Sequence, residues 1–272
     1  MDEKSIKKRI VVKVGTSSLT HEGGSINLRS FDALARVLSD IHNMGCEVVL
    51  VSSGAIAVGA GKLKMKERPK ELSLKQAAAA VGQCELMHLY DKFFGDYGHT
   101  VAQILLTGDD VENPQMKQNL MNTFNSLLEL SIIPIVNEND SVSYAEIECG
   151  ENEHKIFGDN DTLSAVVSVL CNADMLVLLS DIDGLYDGNP NENPDARLIR
   201  EVRILDDDIR ALAGGAGSSR GTGGMITKLQ AAELAMNNGI DMIISNGKRP
   251  EDLYDIVEGK AVGTLFVGKH RR

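Results

Sequence analysis

Two lysines, one acidic-amide tripeptide and a few strings of small residues hold the chemistry legible in this chain. Lys13 interrupts the apolar run Ile10-Val11-Val12-Lys13-Val14, just before Gly15. An ammonium there must leave the core or meet a partner, because burying it unpaired is costly. Lys228 ends the segment Gly221-Thr222-Gly223-Gly224-Met225-Ile226-Thr227-Lys228, which opens a helix. Free backbone N–H groups and the helix dipole favour phosphate at such a place. Ser52-Ser53-Gly54-Ala55 lies at a strand-to-helix junction, where N–H groups can cradle a carboxylate or a phosphate. Each feature also has a plain reading. Lys13 is then an outward-facing lysine on an edge strand, the glycine-rich segment a surface loop, and the serine junction close packing of small residues. Asp159-Asn160-Asp161 reads as a helix N-cap with an acidic first turn, which requires no function by itself.

Several familiar devices are excluded. Gly54-Ala55-Ile56-Ala57-Val58-Gly59 is followed by Ala60, not by the lysine of a P-loop, and no GxGxxG follows the first strand. The histidines at 21, 42, 88, 99, 154 and 270 have no metal-ligand spacing, and no Ser, His and Asp group into a triad. Cys46, Cys84, Cys149 and Cys171 form no CxxC pair and are expected as reduced thiols. Glu146, Glu148, Glu151, Glu153 and His154 read as a solvated acidic hairpin, so no metal site built by the protein is expected. With 39 acidic against 28 basic residues, the net charge of −11 would repel a polyanion. Nucleic acid and anionic membrane are therefore excluded as bulk partners. No apolar run approaches the roughly 18 residues of a membrane span, and the polar N-terminus lacks a signal-peptide core, so a cytoplasmic protein is expected.

The elements that must position these residues alternate along the chain. Short apolar strands are expected at 10–14, 48–51, 101–106, 132–136, 175–180, 242–244 and 264–267. Helical periodicity predicts helices over about 31–41, 73–94, 115–130, 162–171, 227–237 and 251–257. Asn27 is placed to cap the first helix and Gly45 to end it. Near-continuous apolar strands between amphipathic helices predict a three-layer α/β/α sandwich with a central, mainly parallel sheet. Ligands of such sheets bind beyond the carboxyl ends of the strands. Those ends carry Gly15-Thr16-Ser17, Ser52-Ser53-Gly54-Ala55, Asn137-Glu138-Asn139-Asp140, Ser180-Asp181 and Ser245-Asn246-Gly247.

Taken in order, these segments resemble the amino acid kinase family. The matching stretches are Val12 to Ser17, Ser52 to Ala57, Val81-Gly82-Gln83, Val136 to Asp140, Gly158 to Asp161, Ser180-Asp181 and Gly221 to Lys228. The Asn137 to Asp140 and Gly221 to Met225 stretches are most similar to the branch acting on glutamate, with the N-acetylglutamate branch as competitor. The resemblance implies one amino acid kinase domain over 1–272, in a short form without the small C-terminal RNA-modification-type (PUA) domain of many bacterial members. It implies transfer of the ATP γ-phosphoryl group to the γ-carboxylate of L-glutamate, the first step toward proline; the alternative outside catalysis is a silent nucleotide-responsive sensor. Lys13 and Lys228 would be catalytic, oriented by Asp161. Ser53, Gly54, Ala55, Asp140 and Asn160 would hold glutamate, with Asp140 facing its α-ammonium. Lys13, Gly15, Ser180, Asp181, Thr222, Gly223, Gly224, Met225, Ile226, Thr227 and Lys228 would line the ATP site. Mg²⁺ held mainly by ATP phosphates and water, a homo-oligomer (dimer or tetramer), and feedback inhibition by proline through a lid at 137–157 are implied as well.

Overall fold

In the computed structural model, described for residues 8–21, 25–142, 159–190, 192–213 and 224–269, strands and helices alternate from the start. The chain runs β1 (Arg9–Val14), α1 (Thr16–Leu19), α2 (Leu28–Asn43), β2 (Glu47–Val51), α3 (Ala55–Lys62), α4 (Leu72–Asp96), β3 (Val101–Leu106), α5 (Gly108–Glu112) and α6 (Pro114–Glu129). It continues with β4 (Ile133–Glu138), α7 (Asn160–Leu170), β5 (Met175–Ser180), β6 (Glu201–Val202), α8 (Asp207–Leu212), α9 (Met225–Asn237), β7 (Asp241–Asn246), α10 (Asp252–Val257) and β8 (Thr264–Phe266). None of the described helices is long and apolar enough to cross a membrane.

The eight strands form one sheet in the order β3-β4-β2-β1-β5-β7-β8-β6. Strands β1 to β5 and β7 run parallel; β8 is antiparallel to β7 and carries β6 parallel to itself. The expected parallel sheet is thus met in its six main strands and reversed at one margin. Strands this apolar need cover on both faces. Val11, Val49, Val51, Leu176, Leu178, Met242 and Ile244 pack on one face with residues of α6, α7 and α9. Ile10, Val12, Val14, Leu50, Val177 and Leu179 pack on the other with residues of α2, α3, α4 and α10.

The plain reading of Lys13 fails here. β1 pairs with β2 on one side and β5 on the other, Lys13 standing opposite Val51 and Leu178, so the lysine is central and not on an edge. Side chains alternate along a strand, which puts Lys13 on the face of Val11, under the layer that contains α7 and α9.

Local chemistry explains the element ends. Asn27 accepts from the Ser30 N–H at 3.2 Å and caps α2, and Gly45 takes the left-handed backbone (φ +98) that releases the chain from it. Asp159 accepts from the N–H groups of Asp161 and Thr162 at 3.0 and 3.1 Å, so α7 begins two residues earlier than its apolar period predicts. Helices α3 and α4 cross with their backbones in contact: a Cβ on Gly59 would overlap the Ala78 carbonyl, and one on Gly82 the Ala55 carbonyl.

Candidate active site

The chain passes from β1 to its neighbour β2, on to β3 at the sheet margin and back to β4 between β3 and β2, and then crosses to place β5 on the other flank of β1. That reversal leaves a crevice beyond the carboxyl ends of β1 and β5, where open α/β sheets bind ligands. Period two of β1 turns Lys13 toward α7, whose first turn holds Asp161 at the same edge. Lys13 Nζ lies 2.6 Å from Asp161 Oδ1. From the start of α9, Lys228 Nζ reaches Asp161 Oδ2 at 3.0 Å, and the Thr227 hydroxyl donates to the same oxygen at 3.3 Å. The Asp161 side chain is 1% exposed, that of Lys228 8% and that of Lys13 12%. Burial alone would raise the Asp161 carboxyl, but the ammonium groups of Lys13 and Lys228 outweigh it and hold the pKa below the ordinary carboxylate range.

The cluster thus carries two positive charges against one negative, preorganised and largely shielded from water. Gly15 borders it with an ordinary φ of −82, and an added Cβ would sit 3.8 Å from Lys13 Nζ with no closer contact. The fold itself does not demand glycine there; its absent side chain keeps the space beside the ammonium open.

On the other side of β1, Ser53 donates to the Val14 carbonyl at 2.6 Å. Gly54 supplies the left-handed N-cap of α3 (φ +95) and leads into buried Ala55. Asn160, the residue before Asp161, donates to the Ser52 carbonyl at 2.6 Å and to Asn137 Oδ1 at 3.1 Å. Asp140 lies in the turn that follows β4. Ser180 donates to the exposed Asp181 at 3.1 Å, and its carbonyl accepts the Gly247 N–H at 2.7 Å. Gly224 is the N-cap of α9, with Met225 and the 56%-exposed Ile226 in its first turn. Thr222 and Gly223, the segment 147–157 and the acidic hairpin residues lie outside the described residues.

The structure therefore brings Lys13, Asp161, Thr227 and Lys228 into one cluster, and joins Asn160 to the Ser52 junction beside it. Asp181, hydrogen-bonded to Ser180, and Ile226, next to Thr227 on α9, both lie exposed. Three participants escaped sequence reasoning. Gln83, within the quoted stretch Val81-Gly82-Gln83, accepts from Asn137 at 3.0 Å. Buried Tyr90 has its hydroxyl 2.8 Å from Ser52 Oγ. Asp183 accepts from Asn246 and Arg249 at 2.8 Å each, which lowers its pKa and ties the loop after β5 to that after β7. A helix-period signal exposes none of these, since each depends on a partner from a distant element.

Residues 8–246 match the model of the amino acid kinase family. A glutamate 5-kinase of Clostridium perfringens is 60% identical over 262 residues, covering 96% of this chain and 96% of that protein. One of Listeria innocua is 54% identical, covering 96% of this chain and 94% of its own length. Among solved structures, a carbamate kinase of Giardia lamblia bound to AMP-PNP superposes with a TM-score of 0.66 at 15% identity, covering 97% of this chain and 99% of that one. A UMP kinase of Bacillus anthracis gives 0.63 at 16% identity, covering 96% of each chain. At that identity the likeness concerns the fold alone.

Proposed function

As the chain belongs to the amino acid kinase family, we propose that it transfers the γ-phosphoryl group of ATP to the γ-carboxylate of L-glutamate, giving L-glutamyl 5-phosphate and ADP, the first step toward proline. Asp161 carries this reading, because it gathers two lysines from distant parts of the chain into one positive cluster at the switch of the sheet. A glutamate γ-carboxylate has a pKa of about 4.3 and is already ionised at neutral pH, so it attacks phosphorus without a general base. What remains is to hold nucleophile and phosphorus in line and to neutralise charge on the group in flight. Lys13 and Lys228 do the second, and Asp161 fixes both without giving up or taking a proton. Ser53, Gly54, Ala55, Asp140 and Asn160 hold glutamate. Gly15, Ser180, Asp181 and the 222–228 segment border ATP.

Mg²⁺ fits this site as a companion of ATP. Both Asp161 oxygens already face ammonium groups, and the described residues hold no cluster of three or more Asp, Glu, His or Cys suited to an ion. Phosphate oxygens and water would be its ligands. Bound there, it neutralises phosphate charge alongside the two lysines. We read the chain as a single kinase domain that works as a homo-oligomer and takes proline as a competing ligand.

The reading is tested by ADP release from ATP and Mg²⁺ with glutamate, N-acetylglutamate, aspartate and UMP offered singly. Glutamate alone should support rapid turnover. Preference for N-acetylglutamate would move the chain to the competing branch, and no turnover with any of them would favour a silent sensor.

A further inference from the structure

Three side-chain amides at the glutamate half of the site have their orientations set by two backbone groups. The Ser52 carbonyl can only accept, so Asn160 must turn its Nδ2 toward it, at 2.6 Å. The Glu138 N–H can only donate, so Asn137 must turn its Oδ1 toward it, at 2.9 Å. That oxygen also receives the second N–H of Asn160 at 3.1 Å, and Asn137 Nδ2, turned the other way, donates to Gln83 Oε1 at 3.0 Å. Asn137 is 1% exposed, so a missing partner there would not be replaced freely by water.

An amide has two N–H donors and one carbonyl acceptor. Asn160 has both donors engaged. The group it has left for substrate is its oxygen, which accepts no hydrogen bond among the described residues, and that oxygen can be matched only by a donor. On the reading above, that donor is the α-ammonium of the amino acid. We infer that Gln83, on α4, is a positioning residue for substrate choice: by holding Asn137 Nδ2 it keeps Asn137 Oδ1 seated on the Asn160 amide, reinforcing the orientation the two backbone groups set and leaving the Asn160 oxygen for the substrate amine, so that the site disfavours dicarboxylates lacking that amine. Gln83 acts through an acceptor, its Oε1, and glutamate at this position would keep that acceptor whereas leucine would not.

The experiment compares kcat/KM for L-glutamate with kcat/KM for glutarate, which has both carboxylates and no ammonium, in wild type, Gln83→Leu and Gln83→Glu. The expected result is a glutamate-to-glutarate ratio that falls about tenfold in Gln83→Leu, the worth of one hydrogen bond in this range. The fall should come through a raised glutamate KM with ATP KM unchanged, and Gln83→Glu should restore the ratio to near wild type. Where Gln83→Leu fails to melt cooperatively, Gln83→Ala replaces it and is judged by the same ratio. A wild-type ratio in the leucine or alanine variant overturns the positioning role, and so does a Gln83→Glu variant as impaired as Gln83→Leu, since the Gln83 amide N–H would then be the working end. A wild type that turns over neither acid overturns the glutamate reading as well, whereas the other two failures leave that reading intact.

Discussion

Asp161 has no lone task at the residue scale; it serves as the shared counter-ion of Lys13 and Lys228, and each of the three is costly without the others. Removing one preorganised charge donor costs about 10²–10³ in rate. Lys13→Ala and Lys228→Ala should therefore each lower kcat by that order with a smaller change in glutamate KM, measured by steady-state ADP release. Asp161→Asn should be worse for stability than either, because it leaves two ammonium groups close together with no carboxylate between them. The sign of the pH effect follows from the lowered Asp161 pKa. A carboxyl whose folded value lies below its unfolded value contributes stability above the unfolded value and loses it as pH falls through the folded one. The Tm gap between wild type and Asp161→Asn should hold at neutral pH and close as pH drops below the ordinary carboxylate range; a gap independent of pH would mean Asp161 is not ionised in the fold. The sequence made Lys13 suspicious as a charge in an apolar run. It could not name the partner, because helix α7 reaches β1 only through the topology of the sheet.

Among the elements, the α3–α4 crossing is the tightest spot described, and it fixes the serine junction from behind. Ala55, which starts α3, has its carbonyl against Gly82. Gly82→Ala should cost about 1–3 kcal/mol or more through overpacking, read as a loss of several degrees in Tm. Gly15→Ala makes the opposite case: the backbone is ordinary and the new methyl meets nothing closer than 3.8 Å. Its Tm should stay near wild type while turnover falls, since the methyl enters space beside Lys13; a fully active Gly15→Ala enzyme would show that nothing approaches there. The main strands and the long helices α2, α4, α6, α7 and α9 were legible, because each carries enough turns or enough apolar residues for its period to stand out. The short helices α1, α3, α5 and α8 and the two-residue strand β6 were not. Such pieces have too few residues to show a period, and tertiary contacts decide them.

At the scale of the whole molecule, the position of the site follows from the strand order, which was not readable from local pattern. Alternating elements announce a parallel sheet, but not that β1 lies between β2 and β5 or that β8 turns antiparallel. The Lys13–Asp161–Lys228 cluster is net positive within a chain of net charge −11, a contrast that suits two anionic substrates meeting at one edge. Proline shares the α-carboxylate and α-ammonium of glutamate, so it should raise the apparent glutamate KM at subsaturating glutamate. No inhibition at millimolar proline, or inhibition competitive with ATP only, would remove it from the glutamate half.

Because Asp161 takes one partner from position 13 and the other from position 228, the cluster proposed as catalytic can assemble only in the completed fold. The three groups come together only after a central strand, a crossover helix and a helix far along the chain have all docked, which are contacts of high sequence separation that form slowly. A partly synthesised or half-folded chain has a lone ammonium where the folded chain holds two lysines on one carboxylate. On the proposed roles it would have no means to spend ATP, so the chemistry would stay silent until the native topology is complete.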